Sequence, residues 1–161
     1  MEATREEIEA EIQWFNHQVF EVKEKMSKWL EELGHHMSFQ EKEITKIEEA
    51  SGPYKARQFD ILIDSTMTIS LIPYAIWIIG AKGRIDIKGP SGIEKLVFFF
   101  PGGPGITTEI RDGGGNVINK SIHGFFSTID EAGWYWYDDS SYRKVSKFSK
   151  EIIEPLLERL Q

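Results

Sequence analysis

An α+β fold is what the sequence predicts: a helical N-terminal arm, a mostly antiparallel sheet of about six strands, and a C-terminal helix packed on it. Three patterns carry this reading. Apolar residues recur at helical spacing from Ile8 to Leu33; from Gln58 to Tyr137 short apolar or alternating runs are separated by turn signals about every ten residues; the last dozen residues regain a helical apolar face. Short strands at that interval favour antiparallel neighbours.

The first helix should start at the capping box Thr4-Arg5-Glu6-Glu7 and stop at Gly34. Between them Ile8, Ile12, Phe15, Val19, Val22, Met26, Trp29 and Leu33 are spaced 4-3-4-3-4-3-4, an a/d seam of more than three heptads. A second box, Ser38-Phe39-Gln40-Glu41, predicts a shorter helix with Ile44, Ile47 and Ala50 inward, ended by Ser51-Gly52-Pro53. That break divides the chain into an arm, residues 1–52, and a body, residues 53–161.

Lengths bear on what the seam packs against. Ile8 to Leu33 extends about 38 Å at 1.5 Å per residue, whereas a typical strand is about 17–20 Å long. Trp14 and Phe20 lie off the seam and need cover of their own. The expectation is therefore that a second chain, most simply another copy, buries Phe15, Val19, Val22, Met26, Trp29 and Leu33. The competing arrangement lays the helix across the chain's own sheet, since heptad spacing and a broad globular face overlap over so short a length.

The body is anchored on residues 69–89, ISLIPYAIWIIGAKGRIDIKG. A nearly continuous apolar strand folds back at Gly80-Ala81-Lys82-Gly83 into an alternating one, with Ile85 and Ile87 on one face and Arg84, Asp86 and Lys88 on the other. Pro73 lacks a backbone donor, which requires a bulge or an edge there. Gln58–Asp64 and Glu94–Phe100 read as further strands, Thr107–Arg111 and Val117–Ile122 as a loose-tipped hairpin, and Trp134–Tyr137 as an aromatic strand. Ser146 or Ser149 caps the last helix, in which Pro155 marks a kink or restart.

Composition excludes several functions. The 161 residues suffice for one domain with an appendage, and 40% hydrophobic with 28% charged residues is an ordinary globular balance. No apolar run is long enough to span a bilayer, and the acidic start lacks the pattern of a signal peptide, so a cytoplasmic location is expected. Without cysteine there is no disulfide, thiolate nucleophile or sulfur-ligated zinc. Residues 1–52 hold 13 Asp/Glu and 6 Lys/Arg, while the remainder holds 13 of each, so the whole net charge of −7 lies on the arm. This argues against a nucleic-acid partner, since phosphate binding rests on clustered Lys and Arg.

Candidate chemistry is thin. Asp86-Ile87-Lys88, with Asp60 or Asp64 on an earlier strand, has the acid-x-Lys form of metal-dependent nuclease strands, but the tripeptide also suits the outward face of a hairpin. His35-His36 on a turn have no partner at ligand spacing, and the glycine-rich residues 101–108, PGGPGITT, lack the G-K-[ST] ending of a phosphate loop. Trp134 and Trp136 should face one way, Tyr135 and Tyr137 the other; with Arg143 and Lys144 close by they form a candidate ligand-binding surface unless both faces are buried.

The reading is thus a non-catalytic cytosolic protein–protein interaction module: an accessory subunit, or an immunity-type inhibitor whose acidic arm meets a basic partner. It predicts no catalytic residue, metal or cofactor. Alternatives are a ligand- or nucleic-acid-binding module using residues 134–137, and a nuclease-like enzyme using Asp64, Asp86 and Lys88.

Overall fold

The Thr4 hydroxyl accepts the Glu7 amide at 3.1 Å while the Glu7 carboxylate takes the Thr4 amide, closing the capping box ahead of helix α1, Arg5–Glu32. The computed structural model describes residues 2–101, 105–111, 113–114, 117–124, 129–138 and 144–161. At the far end of α1, Gly34 has a φ of +91°. The Gly34 amide donates to the Glu31 carbonyl and the His35 amide to the Leu30 carbonyl, a Schellman stop.

The buried stripe of α1 is Ile12, Phe15, Val19, Val22, Met26 and Leu30. It follows the seam as far as Met26 and then leaves it: Trp29 is partly buried against Phe148, and Leu33 is exposed. A straight helix drifts about 20° per heptad against a 3.5-residue repeat, so Leu30 takes the place that strict heptads give to Trp29. The chain's own sheet covers this stripe. Trp14 lies edge-on to Phe98 with centroids 5.0 Å apart and under the Lys82 ammonium, and Phe20 tilts against Phe59 with the Lys23 ammonium 5.7 Å from its ring centroid.

The expected second helix is a strand. Met37–Glu48 forms β1, paired antiparallel with β2, Gly52–Ile63, at all twelve positions. The 3-3 spacing of Ile44, Ile47 and Ala50 favours the helical reading, yet Ile44, Thr45 and Ile47 are β-branched and suit a pleated surface. A capping box contributes too little to outweigh a ladder of that length. Gly52, with a φ of +71°, closes the turn between the two strands.

The sheet runs on through β3, Met67–Ala75, β4, Arg84–Gly89, and β5, Gly92–Phe99. The chain then makes a separate hairpin, β6, Gly105–Arg111, with β7, Val117–Gly124, before returning as β8, Gly133–Asp138, and β9, Lys144–Lys147. The order is β1-β2-β3-β4-β5-β8-β9, seven strands with every neighbour antiparallel. The residue 69–89 hairpin sits at its centre as expected, and its register shifts between Pro73 and Ala75. That bulge, followed by an irregular passage through residues 76–83, replaces the tight turn expected at Gly80–Gly83; both glycines have positive φ.

β2 pairs with β3 only from Phe59 to Ile63. The rest of β2 meets β1 alone, so this ribbon extends beyond the main sheet and coils. Its buried positions change from Tyr54 and Ala56 to Phe59, Ile61 and Ile63, and Asn16 of α1 donates to the Lys55 carbonyl at 3.0 Å.

A 3₁₀ turn, Lys150–Ile152, leads into α2, Ile153–Leu160. Pro155 therefore falls in the first turn, where its missing N–H has no intrahelical partner to lose. Ile153, Leu156, Leu157 and Leu160 join the α1 face of the sheet in one core. Val97, Phe99, Ile129 and Tyr135 form a second cluster, on the other face of β5 and β8. No helix among the described residues is long and apolar enough to cross a membrane.

The end of α2 presses directly on Gly89. A Cβ there would lie 2.6 Å from both the Cβ and the carbonyl oxygen of Leu160. Gly89→Ala should cost about 1–3 kcal/mol, the range for overpacking a tight contact. A lower urea midpoint at unchanged slope would report it. Gly133→Ala, where an added Cβ meets nothing within 4 Å, is the control and should stay within about 0.5 kcal/mol.

Candidate functional site

The structure scatters the residues of the nuclease-like reading. Asp64 lies in the β2–β3 turn with a φ of +52°, its carboxylate taking the His36 amide at 2.8 Å and facing the His35 ring. Asp86 lies mid-strand, opposite Ile72, and is 7% exposed. Arg84 holds it with Nε 2.7 Å from Oδ1, and the guanidinium stacks on Tyr74. Five residues of β3, about 16 Å at 3.3 Å per residue, separate Ile72 from Met67 beside the turn. Lys88 is exposed on β4. Asp60 is held by Ser70, Gln58 and Lys42. Among the described residues no group of three His, Asp or Glu side chains is placed to hold a metal ion.

The aromatic strand is packed on both faces. Trp134 and Trp136 lie in the helix-side core, with indole N–H groups donating to Gln18 at 2.9 Å and Glu94 at 3.2 Å. Tyr135 is buried in the opposite cluster, its hydroxyl donating to the Glu131 carbonyl, and burial pushes its phenol up. Tyr137 is half-buried and Lys144 exposed, while Arg143 and residues 102–104 of the glycine-rich loop lie outside the described residues. The ring faces that a stacking surface would offer a ligand are packed within the chain, and the indole donors are occupied there too.

A different place collects unpartnered apolar surface and negative charge. It lies where the start of α1, the β1–β2 turn and the passage after β3 converge. The Glu48 carboxylate, at the end of β1, accepts the Ile76 amide at 3.0 Å and the Trp77 amide at 3.1 Å, and the Tyr54 hydroxyl donates to it as well. Burial, with this hydrogen bond added, pushes the Tyr54 phenol up, so the hydroxyl remains a donor. Tyr54 meets Trp77 edge-on, and the Arg5 guanidinium reaches the Ser51 carbonyl at 3.3 Å.

These contacts frame a groove of about 730 Å³ lined by Ile8, Ala50 and Trp77 and by Glu2, Glu48 and Glu49. Two large apolar side chains stand near it in the sequence without cover: Ile47, 74% exposed, next to Glu48, and Ile79, fully exposed, two residues beyond Trp77. Arg5 is also engaged by Glu9. The arrangement suits recognition of a cationic group carried beside apolar surface, with Trp77 as an aromatic wall.

Of these features only the charge is foreshadowed in the sequence. Nothing local to Glu48 or Trp77 marks them, because their meeting depends on β1 being a strand. Family models, curated proteins and solved structures were all compared with the chain, and none matches.

Glu48→Ala would leave two backbone N–H groups and the Tyr54 hydroxyl without their acceptor. A loss of about 1–3 kcal/mol is expected, with faster amide exchange at Ile76 and Trp77. Glu48→Gln, which keeps one carbonyl acceptor, should lose less. Unchanged exchange at residues 76 and 77 would mean that the carboxylate does not hold this passage.

Proposed function

We propose that the protein is a non-catalytic protein-binding module, an accessory or inhibitor-type subunit, and that it receives a basic partner at the acidic groove beside Trp77. One observation supports this most: the groove joins apolar walls, Ile8, Ala50 and Trp77, with three glutamates, Glu2, Glu48 and Glu49. Such a surface draws a basic partner by long-range attraction and retains it by apolar contact. The α1 seam is less suited to docking, because its central residues already pack on the sheet. Absence of cysteine fits a cytoplasmic setting.

The test is affinity capture from native lysate by the full chain, at about one Debye length of 10 Å and again at about 4–5 Å, beside Ile47→Glu and Ile79→Glu. A single stoichiometric basic protein should be retained at low salt, released at least about tenfold more readily at high salt, and lost with either substitution. Retention indifferent to salt and to both substitutions, or no retained protein, would defeat the proposal.

A further inference from the structure

We propose that His35, Asp64 and Glu154 form a pH-gated latch that fastens the start of α2 to the end of α1 and to the β2–β3 turn. Three segments far apart in sequence converge on one imidazole. Nδ1 of His35 lies 2.7 Å from Asp64 Oδ2, and Nε2 lies 2.8 Å from Glu154 Oε1. An ionised carboxylate oxygen only accepts, so both ring nitrogens must carry protons to make the two bonds. The latch is complete only with a cationic ring. The side chain is 22% exposed, enough for the proton to exchange with solvent while the ring stays seated.

The two arms are unequal. Asp64 is fixed from several sides: its Oδ1 takes the His36 amide at 2.8 Å and its own amide donates to the His36 carbonyl at 2.7 Å. Glu154 is half-exposed, with His35 as its one described side-chain partner. When the ring loses a proton, one donor remains. It stays with the fixed Asp64, and the Glu154 arm opens. The far end of α2 is held independently, by Arg159 on Asp138 and Glu94. Deprotonation therefore loosens the 3₁₀ turn and the start of α2, residues 150–154, without releasing the buried Ile153 or the apolar side chains beyond it.

The other charged groups on these elements leave the ring as the switch. Glu32 of α1 is paired with Lys150 of the 3₁₀ turn at 3.1 Å. Glu31 and the His36 ring are exposed, and the backbone amide of Glu151 itself, then the Ser149 hydroxyl, hold the Glu151 carboxyl low. Hydrogen bonds to Asp64 and then Glu154 raise the His35 pKa above 6.5, and the His35 and His36 bonds lower that of Asp64 below 3.8. The stability added by His35 is thus fully present below 6.5 and fades as pH rises through the folded value. That of Asp64 is present above 3.8 and fades as pH falls through its folded value. The latch is strongest between those limits.

The latch lies at the opposite end of α1 from the groove and does not depend on it. The ring titration of His35, followed by NMR, and amide exchange at residues 150–154, corrected for intrinsic pH dependence, decide the matter in the full chain. Melting of the wild type, His35→Gln and Glu154→Gln from pH 5 to 9 supplies the comparison. A ring pKa above 6.5 is expected. As the ring deprotonates, protection at residues 150–154 should fall about tenfold for every pH unit by which its pKa exceeds 6.5. The wild-type midpoint should fall by about 2–4 °C more than that of His35→Gln over the same range. Glu154→Gln keeps a carbonyl acceptor for the ring but loses the ionic attraction, so protection at residues 150–154 should be weaker than in the wild type below the ring pKa and should change less with pH. A ring pKa at or below 6.5, or equal pH profiles in wild type and His35→Gln, would overturn the latch. Should His35→Gln not fold, the wild-type titration and the Glu154→Gln exchange pattern decide.

Discussion

A match of lengths governs the rest of this fold. The 28 residues of α1 extend about 42 Å at 1.5 Å per residue, and the 12 residues of β2 about 40 Å at 3.3 Å per residue. The two run side by side in the same direction. Arg5 of α1 meets Ser51 at the start of β2, Asn16 meets Lys55, Phe20 meets Phe59, and His35 meets Asp64 just past its end. On the other flank Trp14 and Gln18 reach Trp134 of β8. The helix therefore lies in a trough whose two walls are strands far apart in sheet order. An unusually long first hairpin makes that trough deep enough to cover the apolar stripe.

The expectation of a second chain along the seam rests on measuring the helix against strands of ordinary length. It misses the long hairpin because Met37–Glu48 reads as helix from its capping box and its 3-3 apolar spacing. One mistaken element thus produces both the second helix and the apparent surplus of unburied seam. The local signals that depend on few residues are legible: the Thr4 cap, the Gly34 stop, the bulge at Pro73 and the alternation of Ile85 and Ile87. What depends on pairing is not. The Glu48 staple and the three-element contact of His35 join residues between 6 and 119 positions apart, and no pattern in the chain marks them.

The aromatic strand shows how burial on both faces can look like a binding surface in sequence. Alternation sends Trp134 and Trp136 to the helices and Tyr135 to the second cluster, and each buried polar tip finds an acceptor in the chain. Buried Trp and Tyr usually meet this condition, and here burial also removes the ring faces that a stacking site would present. Asp86 follows the same rule. A carboxylate placed mid-strand and nearly buried is costly alone, and Arg84 two residues before it on the same face supplies the compensation. A pair so engaged is poorly disposed to bind a metal.

The two ends of the trough are closed by different chemistry, and the difference has consequences. At the groove end, Glu48 is satisfied by backbone amides and by a phenol whose proton is held above its ordinary range. That closure contains no histidine. At the other end the closure passes through an imidazole that needs both protons. Neutral imidazole can serve only one of two carboxylates, so a modest rise in pH acts on the α2 end and leaves the groove end as it was. A chain with one proton-sensitive end can change the order of its last helix while keeping the surface at its first helix intact, because α1, packed from Ile12 to Leu30, does not transmit the loosening.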